Sequence, residues 1–327
     1  MKIIFTLCSV NYLAQATTLG ASLAQHCPDV SFKIGLVDLL HTKSIDPALI
    51  PPYELIEVDK IGIQNFQGMC DRYDITELNT AVKPYFIHYF FYQNPAVESV
   101  IYLDPDIIVF DNLAGIYSSL ATQAVVLTPH ILTPYRDNKW QSETDLVKSG
   151  IYNLGFIGVS RRSEGIRFVR WWMQKLIYGA KNDLCQGLFT DQHWIDFVPL
   201  FFNEVVIDRD PGYNVAYWNL HERHLSFRDD QWFINEDYPL HFFHYSGYSP
   251  FKPQEVSKYQ NRIQFDDRPD IRELFTYYGD QLLANHQAYW QEFSCDYIKP
   301  VKIKRFLRVR KLFLAPIQWG LQKIKPI

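Results

Sequence analysis

The chain has 327 residues, 47% hydrophobic and 21% charged, which is material for one large α/β domain or two smaller ones and not the composition of a disordered or fibrous protein. Five cysteines, at 8, 27, 70, 185 and 295, are scattered and form no CxxC pair; this speaks against a disulfide framework and a structural zinc site and fits a reducing cytoplasm. The net charge of −4 conceals a segregation: residues 299–327 hold nine Lys and Arg and no acid, while residues 1–298 hold 23 basic and 36 acidic residues.

The opening MKIIFTLCSVNYLAQA has the Lys2, the apolar run and the Ala14-Gln15-Ala16 of a signal peptide, but the run is short and Asn11 follows it at once. A first strand over 2–8 is the better reading. No window approaches the roughly 18 uninterrupted apolar residues of a membrane span. Leu13, Ala16, Thr17, Gly20, Leu23 and Ala24 recur at helical spacing and predict a helix over 13–26. Strands are predicted over 32–37 and 53–58, so the chain opens like a doubly wound nucleotide-binding sheet. It carries neither the GxGxxG of dinucleotide binding nor a P-loop.

TAVKPYFIHYFF at 80–91 reads as an apolar helical run, with Pro84 suited to a first turn. Lys83 beside that helix start favours an anion, and a solvated surface lysine is the plainer reading. Next comes SVIYLDPDIIVF at 99–110, a buried strand, a break at Pro105 and a second apolar strand. Asp104 and Asp106 flank the proline. Carboxylates at a strand's carboxyl end are costly to desolvate unless a cation or donors compensate. A hard divalent ion such as Mg²⁺ takes few carboxylates and completes its shell with water and substrate phosphates. Open α/β sheets bind ligands at that end of their strands. A DxD taken alone also suits two solvated turn caps.

Downstream, 123–128 is a strand, and the polar stretch 129–150 reads as a long loop of the kind that forms functional lids. YNLGFIGVS at 152–160 is a strand containing Asn153, whose Gly155 and Gly158 suggest a close approach. An amphipathic helix covers 161–178. In LFTDQHWIDFVPLFF at 188–202, Thr190 or Asp191 could cap a short helix. A strand follows over 205–207, then HFFHYSGYSPFKP at 241–253 with His244 and Lys252, and helical sequence over 269–292.

Asn11-Tyr12, TAVK at 80–83, YLDPD at 102–106, YNLGF at 152–156, Asp191-Gln192 and HYSG at 244–247 followed by Lys252 occur in this order. In that order and spacing the chain resembles GT-A-fold glycosyltransferases, closest to glycosyltransferase family eight, which includes glycogenin and bacterial lipopolysaccharide galactosyltransferases. The resemblance covers about residues 1–255. It implies an α/β, Rossmann-like fold with a mixed, mostly parallel central sheet flanked by helices. The nucleotide-sugar half would span about 1–110 and the acceptor half about 111–255, with a helical closure at 256–298 and a basic helical tail at 299–327. It further implies that Asp104, Asp106 and His244 hold Mn²⁺ or Mg²⁺ on the donor diphosphate, with Lys83 and Lys252 near the phosphates. Asn11 and Tyr12 would meet the nucleotide, Tyr12 by stacking on the base. Asn153 and Asp191 would bind donor hydroxyls, and Gln192 would lie nearest the anomeric carbon. Two departures are visible: Cys8-Ser9-Val10 offers no acid to read a uracil edge, and Lys252-Pro253 lacks the family's following tryptophan. The donor is therefore a UDP-sugar or another nucleotide sugar.

The expected reaction moves a sugar from that donor to a glycan or lipid-linked acceptor in bacterial surface polysaccharide synthesis. An amide such as Gln192 is a poor nucleophile, which favours front-face attack with retention; an inverting enzyme needs a carboxylate base, and Asp191 could serve. A non-catalytic sugar-nucleotide-binding protein is the third reading. A nucleotidyltransferase would need a Gly-rich, Arg-containing loop where SVNYLAQ stands. In the tail, basic residues alternate with Phe306, Leu307, Leu312, Phe313 and Trp319, as in a segment lying on an anionic membrane surface. Docking on the acidic body and nucleic-acid binding are the competing readings. The expectation is a cytoplasmic protein, peripheral on the inner face of the membrane, with no nucleic-acid partner.

Overall fold

A computed structural model describes residues 1–298, so the expectation for the tail at 299–327 lies outside the described residues. Met1–Tyr297 form one compact unit. It opens with β1 (Lys2–Cys8), α1 (Leu13–His26), β2 (Ser31–Leu36) and β3 (Glu54–Glu57). In β1 every residue but Lys2 is buried, as expected of a strand covered on both faces. A Cβ on Gly20 of α1 would sit 2.4 Å from the Tyr53 ring and 2.8 Å from Phe32, so only glycine lets the helix lie this close.

The next helices are α2 (Phe66–Cys70), α3 (Ile75–Ala81) and α4 (Lys83–Gln93). The apolar run predicted from residue 80 is thus divided. Asp74 and Glu77 start α3 with a reciprocal capping box, and α4 starts afresh with Pro84, which has no amide hydrogen to continue the earlier helix. There follow β4 (Ser99–Leu103), β5 (Ile107–Val109), α5 (Ala114–Thr122) and β6 (Val125–Leu127). The stretch 129–150 is not loop throughout: α6 (Glu143–Ser149) starts at a Ser142–Asp145 capping box, and of its residues only Leu146 and Ser149 are buried. Then come β7 (Phe156–Ser160), α7 (Ser163–Leu176), the short β8 (Asn182–Asp183) and β9 (Leu188–Phe189), α8 (Val198–Phe201) and β10 (Val205–Ile207). Neither Thr190 nor Asp191 caps a helix; the turn over His193–Phe197 begins at Gln192 without a side-chain cap.

The main sheet has seven strands in the order β10-β6-β7-β4-β1-β2-β3. Only β7 runs antiparallel to its neighbours, so the sheet is mixed and mostly parallel, with helices about it, as the resemblance implies. A separate antiparallel sheet, unforeseen in the sequence, joins β11 (Leu225–Arg228), β12 (Gln231–Ile234) and β13 (Tyr238–Pro239). Its first turn puts Asp229 and Asp230 at φ +50° and +59°, the left-handed pair a two-residue hairpin demands. Finally β14 (Phe242–His244) pairs antiparallel with β5, which therefore leaves the main sheet after the break at Pro105.

The described residues close with α9 (Arg272–Ala284) and α10 (Gln287–Trp290). Leu274, Phe275 and Tyr278 of α9 share a core with Phe243 and Tyr245. Trp290 of α10 shares another with Cys8, Val10, Leu13 and Ala14, at the β1–α1 junction. Beyond it, the Asp296 amide donates to Asp38 Oδ1 (3.0 Å), Lys43 Nζ bridges Asp296 (2.9 Å) and Asp38 (3.1 Å), and Asp38 Oδ2 accepts from the Val10 amide (3.2 Å). All five cysteines are free thiols, and among the described residues no helix is long and apolar enough to cross a membrane.

Because Trp290 is 1% exposed at this junction, Trp290→Ala is expected to destabilise the protein by about 3–5 kcal/mol, measured as a lowered urea midpoint. A midpoint that does not move would detach the last helices from the first strand's core.

Candidate active site

Two short strands assemble the centre of the site. The chain leaves β4 at Leu103, turns through Asp104, Pro105 and Asp106, and enters β5. The β5–β14 register sets His244 opposite Ile107, and the Tyr245 amide donates to the Asp106 carbonyl at 2.8 Å. His244 Nε2 consequently lies 3.0 Å from Asp106 Oδ1 and 3.7 Å from Asp104 Oδ2. One ligand atom from each residue falls within 4.8 Å of the other two. A Cβ on Gly155 would come within 2.4 Å of the imidazole, so the glycine makes room for the ring, while its carbonyl accepts from the Asp104 amide at 2.7 Å. Trp218 stands edge-on to the same imidazole at 5.1 Å.

The electrostatics of this trio are set by burial and by the charges that face one another. Burial pushes the Asp104 carboxyl up, against the opposing pull of Lys83 and His244. Burial would pull the His244 imidazole down, but the Asp106 and Asp104 carboxylates outweigh it and hold its pKa above the ordinary value. Two oxygen donors and one imidazole nitrogen suit Mn²⁺ or Mg²⁺, with further positions left for water and phosphate. His244 Nδ1 has no hydrogen-bond partner among the described residues.

Behind the trio lies a cavity of about 600 Å³ whose walls include Lys83, Asp104, Asn153, Asp191, Gln192 and His244. Lys83 is not a surface lysine: it is 1% exposed, 2.7 Å from Asp191 Oδ2, donates to the Leu154 carbonyl (2.8 Å) and lies over the Tyr102 ring. Gln192 is clamped at both ends of its amide, Nε2 donating to the Ser149 carbonyl (2.8 Å) and Oε1 accepting from the Leu154 amide (3.1 Å). Asn153 Oδ1 accepts from the Gly155 amide (3.0 Å) and from Asn214 Nδ2 (3.1 Å).

The remaining predicted residues stand outside this wall. Asn11 and Tyr12 form the turn between β1 and α1, with Tyr12 43% exposed. Burial first, and then the Asp106, Tyr259 and Asp104 charges, push the Tyr12 hydroxyl up to about 12, which sets the ring within electrostatic reach of the acid pair. Lys252 is turned to solvent and pairs with Glu255 at 3.6 Å, so it is not brought to the acids.

Sequence reasoning missed His130 and Asn214. His130 Nδ1 faces the Ile151 carbonyl (3.2 Å) and Nε2 faces Asn153 Nδ2 (3.2 Å), which fixes a neutral ring that donates from Nδ1 and accepts at Nε2. Burial pulls its pKa down to about 4, with the Ile151 carbonyl opposing and His244 assisting. Asn214 is fully buried; the only trace in the sequence is a polar residue inside the aromatic run at 213–218.

No protein-family model matches the chain. It is 25% identical over 289 residues to the uncharacterized protein YfnF of Bacillus subtilis (strain 168), covering 88% of this chain and 95% of that one. To the uncharacterized protein YfnD of the same organism it is 24% identical over 257 residues, covering 77% and 79%. Among solved structures, galactosyltransferase LgtC in complex with donor and acceptor sugar analogues aligns over 86% of this chain and 95% of its own, with 16% identity and a TM-score of 0.48. The glycosyltransferase GlyE of Streptococcus pneumoniae TIGR4 aligns over 92% of this chain and 65% of its own, with 17% identity and a TM-score of 0.48.

Two predictions follow from the buried charges. Replacing Lys83 by Met leaves Asp191 buried without its partner, with an expected cost of about 3–5 kcal/mol in chemical denaturation. A loss below 1 kcal/mol, about the worth of a surface pair, would contradict the buried pairing. Between its ordinary value of 6.5 and about 4, His130 is protonated in the unfolded chain but not in the folded one. Its contribution is therefore complete above pH 6.5 and falls away toward pH 4, by up to roughly 3 kcal/mol. His130→Gln is expected to flatten the decline in stability between pH 7.5 and pH 5; an equally steep decline in both proteins contradicts this.

Proposed function

We propose that this chain is a metal-dependent glycosyltransferase that moves a sugar from a nucleoside-diphosphate sugar to a hydroxyl of a glycan or lipid-linked acceptor, with retention of configuration. The observation that carries the reading is the convergence of Asp104, Asp106 and His244 at a cavity walled by Gln192 and the Lys83–Asp191 pair. Mn²⁺ or Mg²⁺ held by those three residues would supply Lewis-acid neutralisation of the leaving diphosphate.

The rest of the chemistry belongs to the chain. Lys83 fixes the Asp191 carboxylate, so Asp191 presents an immobile acceptor to a donor sugar hydroxyl, while Asn153, whose Oδ1 is already taken by Gly155 and Asn214, can meet a hydroxyl with its second Nδ2 hydrogen. Gln192, restrained at both ends, sets a fixed amide dipole beneath the anomeric carbon, where positive charge develops. The other carboxylates on the cavity wall are already engaged: Asp74 and Glu77 cap α3, and Asp145 caps α6. With Asp191 ion-paired, none of these is an unencumbered base for inversion, which supports front-face attack with the leaving phosphate oxygen accepting the acceptor's proton. Tyr12, exposed beside the acid pair, is the candidate stacking partner of the base, and a UDP-sugar is the first donor to try. A role in bacterial surface polysaccharide synthesis rests on the sequence resemblance, and attachment to the inner membrane face rests on the composition of 299–327.

Asp106→Ala is expected to keep the fold by circular dichroism and to lose Mn²⁺-dependent hydrolysis of nucleotide sugars by more than about 100-fold, beyond the loss of an outer-shell partner. Unchanged turnover would remove the acids from the mechanism. The anomeric configuration of the product, read by proton NMR, decides between retention and inversion, and absence of turnover with every nucleotide sugar favours a binding module.

A further inference from the structure

We infer that Trp140 is a fixed stacking platform for the acceptor and that the sugar it receives is an uncharged pyranose, not an acidic or phosphorylated one. The inference rests on the glycosyltransferase reading and adds to it the class of acceptor.

The segment before α6 has the polar sequence of a mobile lid, yet it is fastened along its length. Arg262, 7% exposed, donates from Nε to Asp137 Oδ2 (2.9 Å) and from Nη2 to Asp137 Oδ1 (3.0 Å), and Nη2 also reaches the carbonyls of Lys139 (3.1 Å) and Gln141 (2.7 Å). The same guanidinium lies 3.6 Å from the centre of the Tyr135 ring. Asn261 holds the residue between those carbonyls from both sides, its Oδ1 accepting from the Trp140 amide (2.8 Å) and its own amide donating to the Trp140 carbonyl (3.0 Å). The backbone at Trp140 is therefore held by two neighbours on a distant stretch of chain.

The side chain is treated in the opposite way. Trp140 is 48% exposed, stacks on no ring of the described residues, and lines the same cavity as Gln192 and Asp104. A large apolar ring on a fastened backbone, open to solvent, gains stabilisation when something flat and partly apolar covers it, and the fastened backbone leaves only the side chain's own rotamers to be ordered. The C–H face of a pyranose has that shape. The nucleobase has its own candidate partner in Tyr12, on the turn after β1, whereas Trp140 comes from the connection after β6.

Charge decides the class of sugar. The cavity wall that Trp140 shares also carries Asp74, Glu77 and Asp145, and its cations are Lys83, paired with Asp191, and Lys148, 3.7 Å from Asp145. An acceptor bearing a carboxylate or phosphate would find no unpaired cation in this wall and would face Asp74 and Glu77, which have no ion-pair partner among the described residues.

The test uses the whole protein with Mn²⁺ and a nucleoside diphosphate, screened from UDP, CDP, GDP, ADP and dTDP by thermal shift. Saturation-transfer NMR then reads the binding of methyl β-galactopyranoside, methyl β-glucopyranoside and methyl β-glucuronide. The neutral glycosides are expected to bind the wild type and the glucuronide is not. Trp140→Ala is expected to weaken the neutral glycosides roughly three- to tenfold, the range of an aromatic contact, and Trp140→Phe to recover part of the loss. Arg262→Met, which keeps the indole but unfastens its segment, is expected to weaken them as well. Equal binding by Trp140→Ala, absence of any neutral glycoside from the wild type, or a glucuronide bound as tightly as the neutral sugars each overturns the inference. If the wild type responds to none of the diphosphates with Mn²⁺, it is the glycosyltransferase reading that fails instead.

Discussion

The site depends on one pairing, the three-residue antiparallel ladder between β5 and β14. β5 begins one residue after Asp106, and β14 ends on His244, more than a hundred residues further along the chain. The register alone decides whether the imidazole meets the carboxylates. A slip of one residue would turn His244 to the other face of the ribbon and set Phe243 there. The ladder is short, but all six of its residues are buried, and the Tyr245 amide extends it onto the Asp106 carbonyl. Aromatic packing of Phe243 and Tyr245 against Phe275 and Tyr278 supports it from behind. The core contributed by α9 is thus what keeps three polar ligands in place.

A second constraint is the buried Lys83–Asp191 pair. Removing two charges from water is costly, and their attraction offsets this only when the remaining valences are satisfied. Here the Leu154 carbonyl and the Tyr102 face take up the rest of the ammonium. Leu154 also donates its amide to Gln192, so one residue of the segment before β7 orients both the ion pair and the amide above it. The polar floor of the cavity is a connected unit, and its parts do not move independently.

How much of this could be read beforehand differed by the range of the interaction. The β1–α1–β2 opening, the break at Pro105 and the Asp104–Asp106 pair are written in local patterns, and the structure has them in those places; that His244 joins the two acids was only what the family resemblance implied, and the structure brings the three together. Ile107–Val109 looks the same whether it continues the main sheet or pairs elsewhere, because an apolar triplet does not name its partner; the break at Pro105 was legible, the pairing with β14 was not. α6 was hidden because a two-turn helix with a single buried apolar residue, Leu146, has no periodicity to detect. Lys83 reads as exposed because the acid that neutralises it is remote in sequence. His130 and Asn214 acquire a role only through Asn153, a neighbour that folding supplies. Lys252 illustrates the converse: a motif position can match while the side chain points to solvent.

The return of the C-terminal helices to the first turn has a bearing on biosynthesis. Trp290 completes the packing around Val10 and Leu13, and Asp296 reaches through Asp38 to the backbone of Val10. A nascent chain leaving the ribosome therefore has its first strand and helix available early, but the surroundings of the turn that bears Tyr12 are finished only when the end of the described unit emerges. The part of the protein made first is in this respect the last to mature, and a chain released before Trp290 would lack the support of that turn while still carrying both aspartates and the imidazole.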